Sequence, residues 1–182
     1  CLSDWSSDVC SSDLLLLGPL TDDQQQQVRE AYIRRAERRA GSIEKMPGAQ
    51  ELLDALVRAG IPLAMVTNKT EASANAQARA AGWDGQFDVI VGADSAGAPK
   101  PSALPSIHAL RAMGVEAARA AFVGDTETDI RSALDAGIPL VIALPGARSE
   151  EALWAAGATH VVPSLHEAFP LLLGLPSEAA TP

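Results

Sequence analysis

From residue 47 onward the chain alternates between two textures. Stretches with apolar residues at helical spacing are followed by short runs that are almost wholly apolar. PGAQELLDALVRAG places Leu52, Leu53, Leu56 and Val57 on one face, with a proline at its start and Gly60 as a stop, which predicts a helix. IPLAMVT follows as a nearly continuous apolar run, the pattern of a strand covered on both faces. The alternation then repeats. EASANAQARAAGW, SALPSIHALRAMG, TETDIRSALDAG, SEEALWAAG and LHEAFPLLL predict helices, while FDVIVGAD, ARAAFVGD, IPLVIAL and THVVP predict strands. Upstream, residues 21–40 are polar and helix-prone. Thr21 or Asp22 can cap that helix and Gly41 can end it; Val28, Ala31, Tyr32 and Arg35 fall at helical spacing, a thin apolar stripe.

Strand and helix in strict alternation predict an α/β fold, a Rossmann-like three-layer sandwich with a parallel sheet and helices on both faces. Such sheets bind ligands at the carboxyl ends of their strands. Attention therefore falls on Thr67-Asn68-Lys69, Gly92-Ala93-Asp94, Gly124-Asp125 and Pro145-Gly146.

Composition narrows the function. A chain of 182 residues with 47% apolar residues suits one domain, and with aromatics at 4% its core must be filled by Ala, Leu and Val. The net charge of −9 argues against nucleic acid and against an anionic membrane surface as partners. It leaves a small anionic substrate open, because a bound cation can supply local positive charge. Cys1 and Cys10 both lie in the opening stretch, so no disulfide framework or thiolate metal site is expected. No apolar run approaches the roughly 20 residues of a membrane span, and a cytoplasmic location is expected. Trp83 and Trp154, near helix ends, are expected to pack.

Three segments carry candidate chemistry. In FVGDTETDI an apolar strand ends at Gly124, Asp125 follows, and Asp129 stands one helical turn further on the same face. Two carboxylates converging there can hold a hard cation; an aspartate cap followed by an exposed helix acid would read the same. Thr67, at the end of AMVTNK, can donate to an anion together with Asn68, or can cap a helix. Lys100 stands between Pro99 and Pro101, which stiffen the backbone and make a lysine easier to aim at a phosphate than in an ordinary surface loop.

The ordered set VTNK, PKP and FVGDTETDIRSALDAG resembles the second, third and fourth motifs of the haloacid dehalogenase-like hydrolases, over residues 47–173. Within that superfamily it is most similar to the phosphoglycolate phosphatase-like group, whose members carry a small helical cap. The resemblance implies Mg²⁺-dependent phosphoryl transfer through an aspartyl-phosphate, on a small phosphorylated metabolite such as phosphoglycolate. It casts Thr67 and Asn68 as phosphoryl-binding residues and Lys100 as the cation that neutralises phosphoryl and nucleophile charge. Asp125 and Asp129 become the Mg²⁺ site. It also implies sheet order 5-4-1-2-3.

The family pattern begins with a strand ending in D-x-D-G-T, which supplies the nucleophile and the general acid/base. No D-x-D occurs anywhere in this chain. Residues 4–14, DWSSDVCSSDL, resemble one reading frame of a sequencing-library adapter. On this reading residues 1–14 are an artefact, 15–46 the remnant of the cap, 47–175 the core domain and 176–182 a tail. The chain as written would lack its nucleophile and be inactive. Its central strand would be missing, and the strands on either side would expose apolar edges, lowering stability and favouring aggregation. The competing expectation is a non-catalytic relative that binds a phosphorylated ligand or a partner.

Overall fold

The computed structural model describes residues 45–146 and 148–174, together with 21, 23, 24 and 27. At Thr21 the amide donates to Gln24 Oε1 (3.0 Å) and Thr21 Oγ1 accepts the Gln24 amide (3.3 Å). That exchange is a capping box, and it selects Thr21 over Asp22 as the cap. The remainder of the helix expected over 21–40, and the opening stretch, lie outside the described residues.

The alternation expected from residue 47 is present. In chain order the elements are α1 (Ala49–Arg58), β1 (Ala64–Val66), α2 (Glu71–Ala80), β2 (Val89–Val91), α3 (Leu104–Met113), a 3₁₀ turn (Ala117–Arg119), β3 (Ala121–Gly124), α4 (Glu127–Asp135), β4 (Leu140–Ala143), α5 (Glu150–Ala156), β5 (His160–Val161) and α6 (Leu165–Leu173). Pro47 does not open α1. It lies in a turn, and Gly48, with φ of 82°, is the cap. Glycine is required there twice over, because a Cβ would also sit 2.8 Å from the His166 ring.

All strand pairs are parallel, and the described strands form two sheets with no ladder between β1 and β3, the two strands expected to lack their shared neighbour. β1 pairs with β2, and β3 with β4 and β5. Neighbouring residues of β4 separate two cores: Ile142 joins Leu52, Leu56, Trp83 and Ala168, while Val141 and Ala143 join Leu110, Ile130, Ala133 and Leu153. Because side chains alternate across a strand, these are opposite faces of one layer. Helices α1, α2 and α6 therefore cover one face and α3, α4 and α5 the other. The first core also takes in Met65 and Ile90 from one sheet and Val123 and Leu140 from the other, so the two sheets share it.

Trp83 packs as expected, 4% exposed, with its indole N–H donating to Gln50 Oε1 (3.0 Å). Trp154 does not: it is 47% exposed and donates to Glu150 Oε1 one turn back. Its helix has Leu153 as its buried residue, which turns the neighbouring Trp154 outward.

Candidate functional site

Lys100 joins the two sheets. It lies on the loop between β2 and α3 and is 5% exposed, so it is no surface loop lysine. Its ammonium donates to the Val66 carbonyl at the end of β1 (2.9 Å) and pairs with Asp129 Oδ1 at the head of α4 (2.5 Å). The carbonyl is available for a simple reason. In a parallel ladder alternate residues face the neighbour. Thr67 N donates to Val91 O and Leu63 O accepts from Asp88 N, so those residues face β2 and Val66 faces away.

Asp129 is 2% exposed and serves two elements. Oδ1 meets Lys100, while Oδ2 accepts from Thr126 Oγ1 (2.7 Å) and from the amides of Thr126 (3.2 Å) and Asp125 (3.3 Å). Thr126 Oγ1 in turn accepts the Asp129 amide, completing a capping box for α4. The cap of this helix is thus Thr126, with Asp129 at its third position, and Asp129 is not an exposed helix acid. Gly124 lets the helix head approach β3, because a Cβ there would lie 2.6 Å from Asp129 Cβ. Burial alone would raise the Asp129 pKa. The Lys100 charge, with hydrogen bonds from Lys100, Thr126 and the Asp125 amide, outweighs it and holds the carboxyl below its ordinary value.

Asn68 binds Lys100 from the β1 side. Its Nδ2 donates to the Lys100 carbonyl (3.1 Å) and its Oδ1 accepts the Lys100 amide (2.8 Å). Thr67 is buried beside it, with Oγ1 accepting the Lys69 amide (3.2 Å); the cap of α2 is Thr70, not Thr67. Asp125 follows β3 directly and is half-buried. Arg148 pairs with Glu127 Oε2 (3.1 Å) at the start of α4. Sequence reasoning missed Thr126, although T-x-x-D ahead of an apolar run is a capping-box signal. It also missed the Val66 carbonyl, for which no side-chain signal exists.

The residues at this strand end place an ammonium, a hydroxyl and two carboxylates in one neighbourhood. Among the described residues no group of three or more His, Cys, Asp or Glu gathers as a self-sufficient metal site. A Mg²⁺ ion does not require one. It is commonly held by one or two carboxylates and completed by water and substrate phosphate. The carboxylates at this strand end that could hold it are Asp125 and Asp129, of which Asp129 already accepts from Lys100, Thr126 and the Asp125 amide.

A family model described as haloacid dehalogenase-like hydrolase matches residues 5–137. The chain belongs to the haloacid dehalogenase-like hydrolase family. It is 37% identical over 121 residues to a phosphoglycolate phosphatase of Xylella fastidiosa, covering 66% of this chain and 53% of that one. It is 38% identical over 135 residues to a plasmid-borne phosphoglycolate phosphatase of Cupriavidus necator, covering 74% and 57%. Among solved structures it is similar to CbbY from Rhodobacter sphaeroides in complex with phosphate, at TM-score 0.71 and 31% identity, over 83% of this chain and 67% of that one. The chain spans about half the length of the curated relatives it matches. Among the described residues no helix is long and apolar enough to cross a membrane.

Proposed function

We propose that this strand end is the phosphoryl-binding part of a Mg²⁺-dependent phosphatase acting on a small phosphorylated metabolite of the phosphoglycolate type. The observation that carries the proposal is the buried Lys100 ammonium, held between a strand-end carbonyl and Asp129 beside Thr67 and Asp125. Keeping a cation out of water strengthens its pull on an incoming anion. Thr67 and the backbone of Asn68 bind phosphoryl oxygens by donation. Lys100 neutralises their charge and is aimed by its fixed contacts. Asp125 holds Mg²⁺, which when bound supplies charge stabilisation at the phosphoryl group. Asp129 holds Lys100 and α4 in place. Residues 15–46 belong to the helical cap and 47–175 to the core. Without a D-x-D, this chain as written binds but does not turn over.

The test is titration calorimetry of the chain with inorganic phosphate, with and without Mg²⁺. Expected is phosphate binding that Mg²⁺ strengthens, weakened at least tenfold in Asp125→Ala and Lys100→Met, with no release of phosphate from phosphoglycolate. Binding that is indifferent to both substitutions refutes the site. Release that depends on Asp125 refutes the missing-nucleophile reading. The lack of a D-x-D also favours a second reading, a non-catalytic relative that binds a phosphorylated ligand or a partner. Under that reading Asp125→Ala leaves partner binding intact.

A further inference from the structure

Asn68 spends its whole carboxamide on the main chain of another site residue. One edge donates to the Lys100 carbonyl and the other accepts the Lys100 amide, at 3.1 and 2.8 Å. This two-bond ring imitates a rung of a β-ladder, but it is made by a side chain reaching from the end of β1 to a loop. On the far side of the loop, Ser132 Oγ of α4 donates to the Ser102 carbonyl (2.8 Å) and shares a hydrogen bond with Ser106 Oγ (2.8 Å). Ser106 and Ser132 are 1% and 0% exposed, so these bonds form in a dry interface. The Lys100 loop is therefore pinned from both sides: by Asn68, two residues beyond Val66, and by Ser132, one helical turn beyond Asp129. Val66 and Asp129 themselves receive the Lys100 ammonium.

We infer that the Asn68 side chain positions Lys100, acting through the lysine's backbone and not through a contact of the carboxamide with the phosphoryl group. The inference rests on the phosphoryl-site reading above and refines it. A carboxamide of this length offers a donor edge and an acceptor edge to the carbonyl and amide of one residue. Asp keeps the acceptor for the Lys100 amide and loses the donor to its carbonyl. Ala loses both.

The test uses the full chain and two readouts: amide hydrogen exchange at Lys100 by NMR, and affinity for inorganic phosphate in the presence of Mg²⁺. In Asn68→Ala, Lys100 exchange is expected to rise about tenfold or more, the scale of one lost hydrogen bond, with phosphate affinity falling in parallel. Asn68→Asp is expected to restore most of the exchange protection, a rescue that general loosening of the fold would not produce. Thr67→Val is expected to weaken phosphate without moving Lys100 exchange. Unchanged Lys100 exchange in Asn68→Ala overturns the inference. So does loss of phosphate affinity while Lys100 stays protected, which would place Asn68 on the ligand itself. If wild type binds no phosphate, the site reading fails, and Lys100 exchange still decides whether Asn68 holds the lysine.

Discussion

Asp129 neutralises a buried ammonium with one oxygen and caps a helix with the other. Asp129→Ala strands the Lys100 ammonium in a dry site, and a loss of about 3–5 kcal/mol is expected in urea denaturation. Lys100→Met should cost less, about 1–3 kcal/mol, because the carboxylate keeps the Thr126 hydroxyl and two amides. The pair also sets an acid limb. Since the folded pKa of Asp129 lies below its ordinary value, its stabilisation is complete above about pH 4 and disappears as pH falls through the folded pKa. Between pH 5 and 2 (roughly the carboxylate range) the wild type should therefore lose stability more steeply than Asp129→Asn. Gly124 belongs to the same contact. Gly124→Ala forces the head of α4 away from β3 and is expected to cost about 1–3 kcal/mol and to loosen the Lys100 contact, visible as faster side-chain exchange at Lys100.

The element that matters most to the site is the first turn of α4. The sequence pattern drew attention to Asp125 and Asp129, four residues apart on one helical face. The structure pairs Thr126 with Asp129, three apart, because a cap needs the third residue to reach back to the cap amide. The two spacings divide the labour: Asp125 stands at the strand end, and Asp129 is drawn under the helix. Thr126→Ala removes the cap hydroxyl and a donor to Asp129. A loss of about 1 kcal/mol is expected, largely recovered in Thr126→Ser, as read from thermal denaturation.

Across the whole molecule, the described strands divide between two sheets that share a core but no ladder. In β3 the carbonyl of Gly124 accepts from Leu144, so Gly124 and Phe122 face β4, while Val123 faces the other way. In β1 the outward-facing residues are Ala64 and Val66. Among the described residues no strand pairs with these edges. The amides of Ala64, Val66 and Val123 are therefore expected to exchange faster than those of Met65 and Phe122 in the same strands. Equal protection would mean that both edges are paired. The Lys100–Asp129 pair and the Ser132–Ser102 hydrogen bond are polar links across this divide, which gives the loop between β2 and α3 a structural role as well as a chemical one.

Much of this was legible in the residues alone. Alternating apolar runs and helical faces marked every α-helix and strand from α1 to α6, because burial on two faces and on one stripe leave different periods; the 3₁₀ turn at Ala117–Arg119 overlaps the start of the run read as β3. Thr67 and Asp125 were visible because chemistry in such sheets gathers where strands stop, Asp129 because it stands one helical turn beyond Asp125, and Lys100 because prolines flank it. Tertiary structure decided what those residues touch. That Lys100 is buried, that it meets a carbonyl of β1, and that Asn68 turns its carboxamide to the Lys100 backbone depend on contacts between residues about thirty apart in sequence. Local pattern carries no record of such pairings, since they arise only when the chain folds and buried polar groups must find partners.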